Sequence, residues 1–152
     1  MGDPAQDFSN FYHNLMDRYR ESGEDLCRFS AYEQETVALY CLNSDYGGNG
    51  LMSYFDWHGL RLLEPTLRGL TRIGADRLST LVSEYAALLT QFGFAPDKQT
   101  ASDFVSSLPT ATQAKFDRHL AEAADLYGDF YNRWEAFFAS GAWRDEGHGY
   151  KP

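Results

Sequence analysis

Residues 45–58, Asp-Tyr-Gly-Gly-Asn-Gly-Leu-Met-Ser-Tyr-Phe-Asp-Trp-His, decide the fold that the sequence predicts. Three glycines within four positions are a strong helix breaker, because glycine takes positive φ at little cost. Asn49 is a residue type that can cap a following helix. We therefore predict a turn and then a short helix over residues 50–57. Its buried face is formed by Leu51, Tyr54 and Phe55.

Two longer helices precede this turn. Aromatic and leucine side chains recur at helical spacing after Pro4, which predicts a first helix over residues 4–21. Ser30-Ala-Tyr-Glu33 is a capping box, in which the serine and glutamate side chains each satisfy a backbone N–H group. A second helix is therefore predicted over residues 31–43.

Further helical segments follow the turn. Pro65 opens one helix, which Gly74 ends at the position where glycine commonly stops helices. Residues 75–92 form a strongly amphipathic helix, and residues 102–108 supply one or two turns. Thr110-x-x-Gln113 is spaced as another capping box and predicts the start of a long helix with one aromatic face.

The predicted fold class is all-α. Alternating runs of β-branched residues are absent from the sequence, so no strand is predicted. The chain has 152 residues, among them 11 Phe and 10 Tyr, which is enough apolar side chain for one core. We expect a compact single-domain bundle of about six to seven helices over residues 1–142, followed by a flexible C-terminal tail over residues 143–152.

Negative charge is concentrated in the first and last thirds of the chain. Residues 1–60 carry ten Asp and Glu against three Arg, whereas residues 61–100 carry four against five basic residues. Residues 101–152 carry eight against five. A field of one sign attracts basic surfaces and repels phosphates. The composition therefore favours a basic protein partner and argues against direct binding of nucleic acid.

Two groups of carboxylates are candidates for contact with such a partner. Within residues 21–56, Arg28 alone opposes seven acidic residues, so local pairing cannot neutralise them. The first group consists of Glu21, Glu24, Asp25, Glu33, Glu35, Asp45 and Asp56. The second group, on the last helix, consists of Glu122, Asp125 and Asp129. Their i, i+3, i+7 spacing predicts a stripe that faces solvent, and an ordinary solvated helix face is the alternative interpretation.

Motifs for catalysis or metal binding are not found in the sequence. The four histidines lack the spacing of a metal site, and the glycines match no phosphate-binding motif. Cys27 and Cys41 form no C-x-x-C pair and are interpreted as reduced packing residues. We predict no cofactor and no metal. A small enzyme is kept as an alternative, with a pocket formed by Asp45, Asp56, Trp57 and His58.

The sequence also predicts a cytoplasmic location. Its first residues have neither the basic region nor the apolar region of a signal peptide, and no stretch reaches 18 uninterrupted apolar residues. We therefore expect a soluble protein without membrane contact.

Two motifs resemble those of a known family. Gly48-Asn-Gly-Leu-Met-Ser-Tyr-Phe55 is similar to the signature Asn-Gly-Gly-Phe-x-Gln-Tyr/Phe-Phe of a bacterial family of uncharacterised all-helical domains of the neisserial DNA-mimic type. The order of Asn and Gly differs, and Ser53 stands where the family usually has Gln. Ile73-Gly-Ala75 matches a second motif of that family. The resemblance covers roughly residues 30–140 and implies an all-α fold in which the first motif is structural.

Charge and resemblance together lead to two hypotheses about function. The family's DNA-mimic member is acidic and sequesters a transcription factor, but the acidic positions lie outside the signature. We therefore base the first hypothesis on this chain's own carboxylates. It states that the chain is an acidic binding domain that mimics DNA and sequesters a basic nucleic-acid-binding protein. A homodimer is compatible with this role. The alternative is an immunity or antitoxin-type inhibitor of a basic toxin such as a nuclease.

Overall fold

The computed structural model describes residues 3–140. This part of the chain contains seven α-helices, one short 3₁₀ helix and no strand. The helices are α1 (Pro4–Glu21), α2 (Ala31–Asn49), α3 (Leu51–His58), α4 (Leu63–Arg72), α5 (Asp76–Gln91), α6 (Ala101–Ser106) and α7 (Thr110–Ala139). The 3₁₀ helix, Leu26–Arg28, lies between α1 and α2. The predicted all-α class and helix number are confirmed, and the predicted tail at 143–152 lies outside the described residues.

Helix α2 lies at the centre of the bundle. It packs against α1, α3, α4 and α7, and α7 in turn contacts α1, α3, α5 and α6. The buried apolar side chains of these helices form one continuous core. Among the described helices, none is both long enough and apolar enough to span a membrane.

Local signals located several helix ends correctly. Helix α1 begins and ends where the sequence predicts. The capping box of α2 is present, because the Ser30 hydroxyl accepts from the N–H of Glu33 while the Glu33 carboxylate accepts from the N–H of Ser30. Gly74 follows α4 with φ at 78°, in the left-handed region that glycine adopts readily.

Other local signals were misleading at helix starts. Helix α4 opens at Leu63, two positions before Pro65. The predicted capping box of α7 is wrong, because Thr110 is already the first residue of the helix. The side chain of Gln113 instead donates to the carbonyl of Leu108 at 2.8 Å. This bond satisfies a backbone acceptor in the tight connection between α6 and α7.

Helix α2 ends at Asn49 and not at residue 43 as predicted. Gly47 and Gly48 lie inside the helix, and of the three clustered glycines only Gly50 has a positive φ, at 84°. Gly50 also precedes α3 in the position predicted for an Asn49 cap. Tyr46 explains the extension: it is 4% exposed, and its hydroxyl donates to the carbonyl of Ala123 in α7. Tertiary packing therefore outweighs the cost of two helical glycines, about 1 kcal/mol each.

Gly47 allows α7 to approach α2 closely. A Cβ atom added at Gly47 would overlap the hydroxyl oxygen of Tyr127. That hydroxyl donates to Oδ1 of Asn43 at 3.0 Å, and the Tyr127 ring meets the Tyr46 ring edge-on with centroids 5.0 Å apart. A glycine at this position is thus required by the packing of Tyr127 and not by backbone conformation.

The Gly47→Ala substitution is expected to lower the free energy of unfolding by about 1–3 kcal/mol, because Tyr127 has to move from a well-packed position. This loss should appear even though alanine is the better helix former. Gly48→Ala is the matched control, since nothing lies within 4 Å of its added Cβ. We expect Gly48→Ala to leave stability unchanged or raise it by up to about 1 kcal/mol. Urea unfolding measures the stability of both variants. Equal stabilities of Gly47→Ala and Gly48→Ala would contradict the close approach of Tyr127 to Gly47.

The two cysteines differ in environment. Both are free, but Cys41 is buried in α2 whereas Cys27 is exposed in the 3₁₀ helix. The interpretation as a packing residue therefore holds for Cys41 and is wrong for Cys27. The backbone N–H of Cys27 donates to the Asp25 carboxylate, and the residue is exposed.

Candidate protein interface

Arginines of α4 and of the loop before it neutralise part of the first predicted acidic group. Glu35 is 3% exposed, and its carboxylate accepts from Nε of Arg68 at 3.2 Å and from Nε of Arg72. Nη2 of Arg61 lies 3.0 Å from Oε2 of Glu24. These partners are 33 to 37 positions apart in the sequence. The fold thus supplies cations that local pairing could not, and Glu35 presents no carboxylate to a partner.

Two further members of this group have structural roles. Glu33 completes the capping box of α2 and also accepts from Nη1 of Arg18 at 2.9 Å. Asp56 accepts from the backbone N–H of Ser102 at 2.7 Å and from the Ser102 hydroxyl. Since Ser102 lies in the first turn of α6, Asp56 holds the start of that helix against α3. Both carboxylates are occupied within the fold.

Glu21 and Asp25 remain as exposed members of the first group. Glu21 is the last residue of α1, and Asp25 caps the 3₁₀ helix by accepting from the N–H of Cys27 at 3.1 Å. Neither has an ion pair within the described part of the chain. Together with Glu24 they place three carboxylates in the connection between α1 and α2.

The second predicted group lies along α7 as expected. Glu122 is half-buried and lies 3.0 Å from Nη2 of Arg77, a residue of α5. Asp129 lies 2.8 Å from Nε of Arg133. Asp125 is exposed and has no ion pair among residues 3–140. The solvent-facing orientation predicted for this stripe is therefore correct for Asp125 and Asp129, whereas Glu122 turns towards α5.

Two more carboxylates share the exposed side of α7 and were missed by the sequence analysis. Asp117 and Glu135 are both exposed. They are 18 residues apart, which is five full turns of an α-helix, so the two side chains lie in line with each other along the helix axis. The opposite side of the helix carries the fully buried Phe116, Ala123 and Phe130. We define the α7 acidic face as Asp117, Asp125, Asp129 and Glu135. It extends over about 27 Å of helix axis at about 1.5 Å per residue.

Cations only partly balance this face. Arg118 and Arg133 lie on the same side of α7 by helical spacing, and the exposed Lys115 lies five full turns before Arg133. Four carboxylates against these three cations leave a net charge of −1. The carboxylate of Asp129, and more weakly that of Asp76, holds the pKa of Arg133 above its usual value. The exposed Asp76 at the start of α5 therefore extends the negative potential beyond α7.

An open cavity of about 210 Å³ lies between the ends of α1 and α3 and the middle of α2. Its lining includes Arg20, Glu24, Cys41, Asp45, Trp57 and His58. Glu24 and Asp45 are far apart in the sequence, so here the fold does bring predicted carboxylates together. Oδ2 of Asp45 lies 2.8 Å from Nε2 of His58. The predicted pocket near His58 thus exists, although Asp56 points to α6 and does not line it.

The chemistry of this cavity does not favour nucleophilic catalysis. Burial raises the pKa of the Cys41 thiol to about 12, with a smaller contribution from Asp45, so the thiolate is not formed near neutral pH. Nε2 of His58 is occupied by Asp45, and Nδ1 is buried without a hydrogen-bond partner in the described structure. Neither imidazole nitrogen is therefore open to a substrate. No group of three potential metal ligands occurs among residues 3–140.

Comparison with known proteins identifies one family. Residues 27–141 match the family model described as DMP19-like protein, a range that begins in the 3₁₀ helix and includes α2 to α7. No curated protein and no solved structure matches the chain.

Proposed function

The chain belongs to the DMP19-like protein family, and on this premise we propose that it is an acidic binding domain of the DNA-mimic type. Its α7 acidic face occupies the DNA-binding surface of a basic protein and keeps that protein from its nucleic acid. The family supports a DNA-mimic role in general terms. The choice of α7 as the contact surface rests on this chain's own residues.

The observation that carries the proposal is the set of four exposed carboxylates on the outward side of α7. The helix is 30 residues long, and its inner side is packed into the core along much of its length. A charged face that is fixed in advance pays little conformational entropy when it meets a partner. Asp117 and Asp125 are, in addition, free of ion pairs in the described structure. They can therefore accept from lysine or arginine without first breaking an internal contact.

The α7 acidic face is much less densely charged than DNA. Duplex DNA carries one negative charge per about 1.7 Å and a layer of condensed counterions, which binding releases. Four carboxylates over about 27 Å hold no such layer. The affinity for a partner should thus depend on salt mainly through screening, over a distance of about 8 Å at physiological ionic strength.

A salt titration tests this difference. Between about 50 and 200 mM salt, a protein with 6–10 phosphate contacts loses roughly 10³- to 10⁵-fold in its affinity for DNA. We expect the affinity of such a partner for this domain to fall by only on the order of tenfold over the same range of salt concentration. Isothermal titration calorimetry at several salt concentrations measures both. An affinity that does not depend on salt would contradict an electrostatic contact.

The partner for that titration comes from affinity capture. The full chain is immobilised and incubated with lysate of the source cells at low salt, and proteins eluted by salt are identified by mass spectrometry. The proposal expects a DNA-binding protein with a basic surface. Recovery of no such protein would count against it, whereas recovery of a nuclease whose activity the domain blocks would replace it with the immunity-type role.

A further inference from the structure

We infer that the cavity between α1, α2 and α3 receives an arginine side chain of the protein partner. This inference rests on the proposed function, because it names the partner group that a second contact site would recognise. The cavity is separate from the α7 acidic face, since residues of α1, α2, α3 and the α1–α2 connection form its lining. It is called the Trp57 cavity below.

The exposed Trp57 is the first reason. Its side chain is 75% exposed, although its neighbours Phe55 and Tyr54 on α3 are fully buried. A flat, weakly hydrated group can cover an exposed aromatic ring and remove its face from water at little desolvation cost to itself. The guanidinium group of arginine meets this description, because it is planar and stacks on indole more readily than an ammonium group does. Trp and Arg are also both enriched among the residues that contribute most to binding at protein interfaces.

Two carboxylates beside Trp57 supply the second reason. Oε2 of Glu24 is engaged by Arg61, and Oδ2 of Asp45 by His58. Each carboxylate has a second oxygen, and an acceptor of this kind takes more than one hydrogen bond. The other cation at the rim, Arg20, has its Nη1 directed to Asp17 at 3.4 Å. Glu24, Asp45 and Trp57 line the same cavity, and a guanidinium carries five donors, which is enough for both carboxylates.

The size of the cavity is the third reason. The cavity has a volume of about 210 Å³ and is open to solvent. An arginine side chain has seven non-hydrogen atoms and is small enough to enter it. Drug-sized ligands and cofactors occupy larger pockets, of roughly 300–1,000 Å³. The volume therefore favours a single protruding side chain over a small-molecule cofactor.

The test uses the full chain and three short peptides, Gly-Arg-Gly, Gly-Lys-Gly and Gly-citrulline-Gly. Binding is followed by the NMR signal of the Trp57 indole N–H, which Trp57→Phe assigns. We expect saturable shifts with the arginine peptide, at least about 5-fold weaker binding of the lysine peptide, and no binding of the uncharged citrulline peptide. Equal affinities for the arginine and lysine peptides would overturn the inference.

Variants separate this site from the α7 acidic face. Trp57→Phe and Glu24→Gln alter exposed side chains and are expected to weaken binding of the arginine peptide by roughly threefold to tenfold. Binding to these variants is followed by the backbone amide signals of α3, because Trp57→Phe removes the indole N–H. Asp117→Asn with Asp125→Asn should leave it unchanged. If those α7 substitutions weaken peptide binding as much as Glu24→Gln does, the Trp57 cavity is not the receptor.

The peptide assay and the capture experiment together distinguish failure of this inference from failure of the proposed function. A domain that captures a basic DNA-binding protein but shows no preference for the arginine peptide retains the proposed function and loses the inference. A domain that prefers the arginine peptide but captures no such protein has a guanidinium site without the proposed role.

Discussion

Replacing Phe55 with alanine is expected to lower the free energy of unfolding by about 3–5 kcal/mol. Phe55 is 0% exposed, and its ring lies 5.1 Å from that of Tyr54 and 5.0 Å from that of Tyr85, measured between centroids. It therefore anchors α3 to α5. Since a domain of this kind has a total stability of about 5–15 kcal/mol, the loss should lower the melting temperature by roughly 6–20 °C.

Urea unfolding followed by circular dichroism measures this loss. Trp57→Ala is the matched control, because it removes a larger aromatic side chain from the same helix at an exposed position. We expect its stability to stay within about 0.5 kcal/mol of the original protein. Similar losses in the two variants would mean that the motif ending in Phe55 does not form the core contact assigned to it.

Replacing Asp117, Asp125 and Asp129 together with asparagine is expected to weaken partner binding on the order of 3- to 100-fold. Exposed charge pairs contribute about 0.2–1 kcal/mol each, and about 1.4 kcal/mol corresponds to tenfold in affinity. Loss of electrostatic steering should slow association as well. Surface plasmon resonance with the captured partner measures the affinity and both rate constants.

The matched control removes the same number of charges elsewhere. Glu64→Gln, Asp97→Asn and Asp103→Asn change three exposed carboxylates that lie outside both α7 and the Trp57 cavity. We expect this triple variant to bind within about threefold of the original protein. If it weakens binding as much as the α7 triple variant, net charge alone governs the interaction and the α7 acidic face is not the contact surface.

Much of the fold could be predicted because the signals involved are local. The apolar spacing after Pro4 and the Ser30 capping box depend on neighbouring residues, and both helix starts are correct. The predicted end of α2 was wrong because the free-energy cost of Gly47 and Gly48 in a helix is small compared with the gain from burying Tyr46. That burial involves α7, which lies some 80 positions away in the sequence, and no local pattern reveals it.

The acidic site was predicted less well, because sequence gives the charges but not their partners. Glu35 could have been excluded, since it lies one turn after Tyr32 and one turn before Leu39 on the buried stripe of α2. The pairing of Glu24 with Arg61 depends on the position of the loop before α4 and could not be foreseen. Asp117 was within reach, because it falls outside the apolar stripe that predicted α7.

Competition with DNA tests the central claim most directly. The captured partner is bound to a fluorescently labelled duplex, and fluorescence anisotropy is recorded while the domain is added. The account predicts that the DNA is released completely as the domain saturates the partner. The α7 triple variant should require on the order of 3- to 100-fold more protein for the same release. A ternary complex, in which the domain binds while the DNA stays bound, would contradict it.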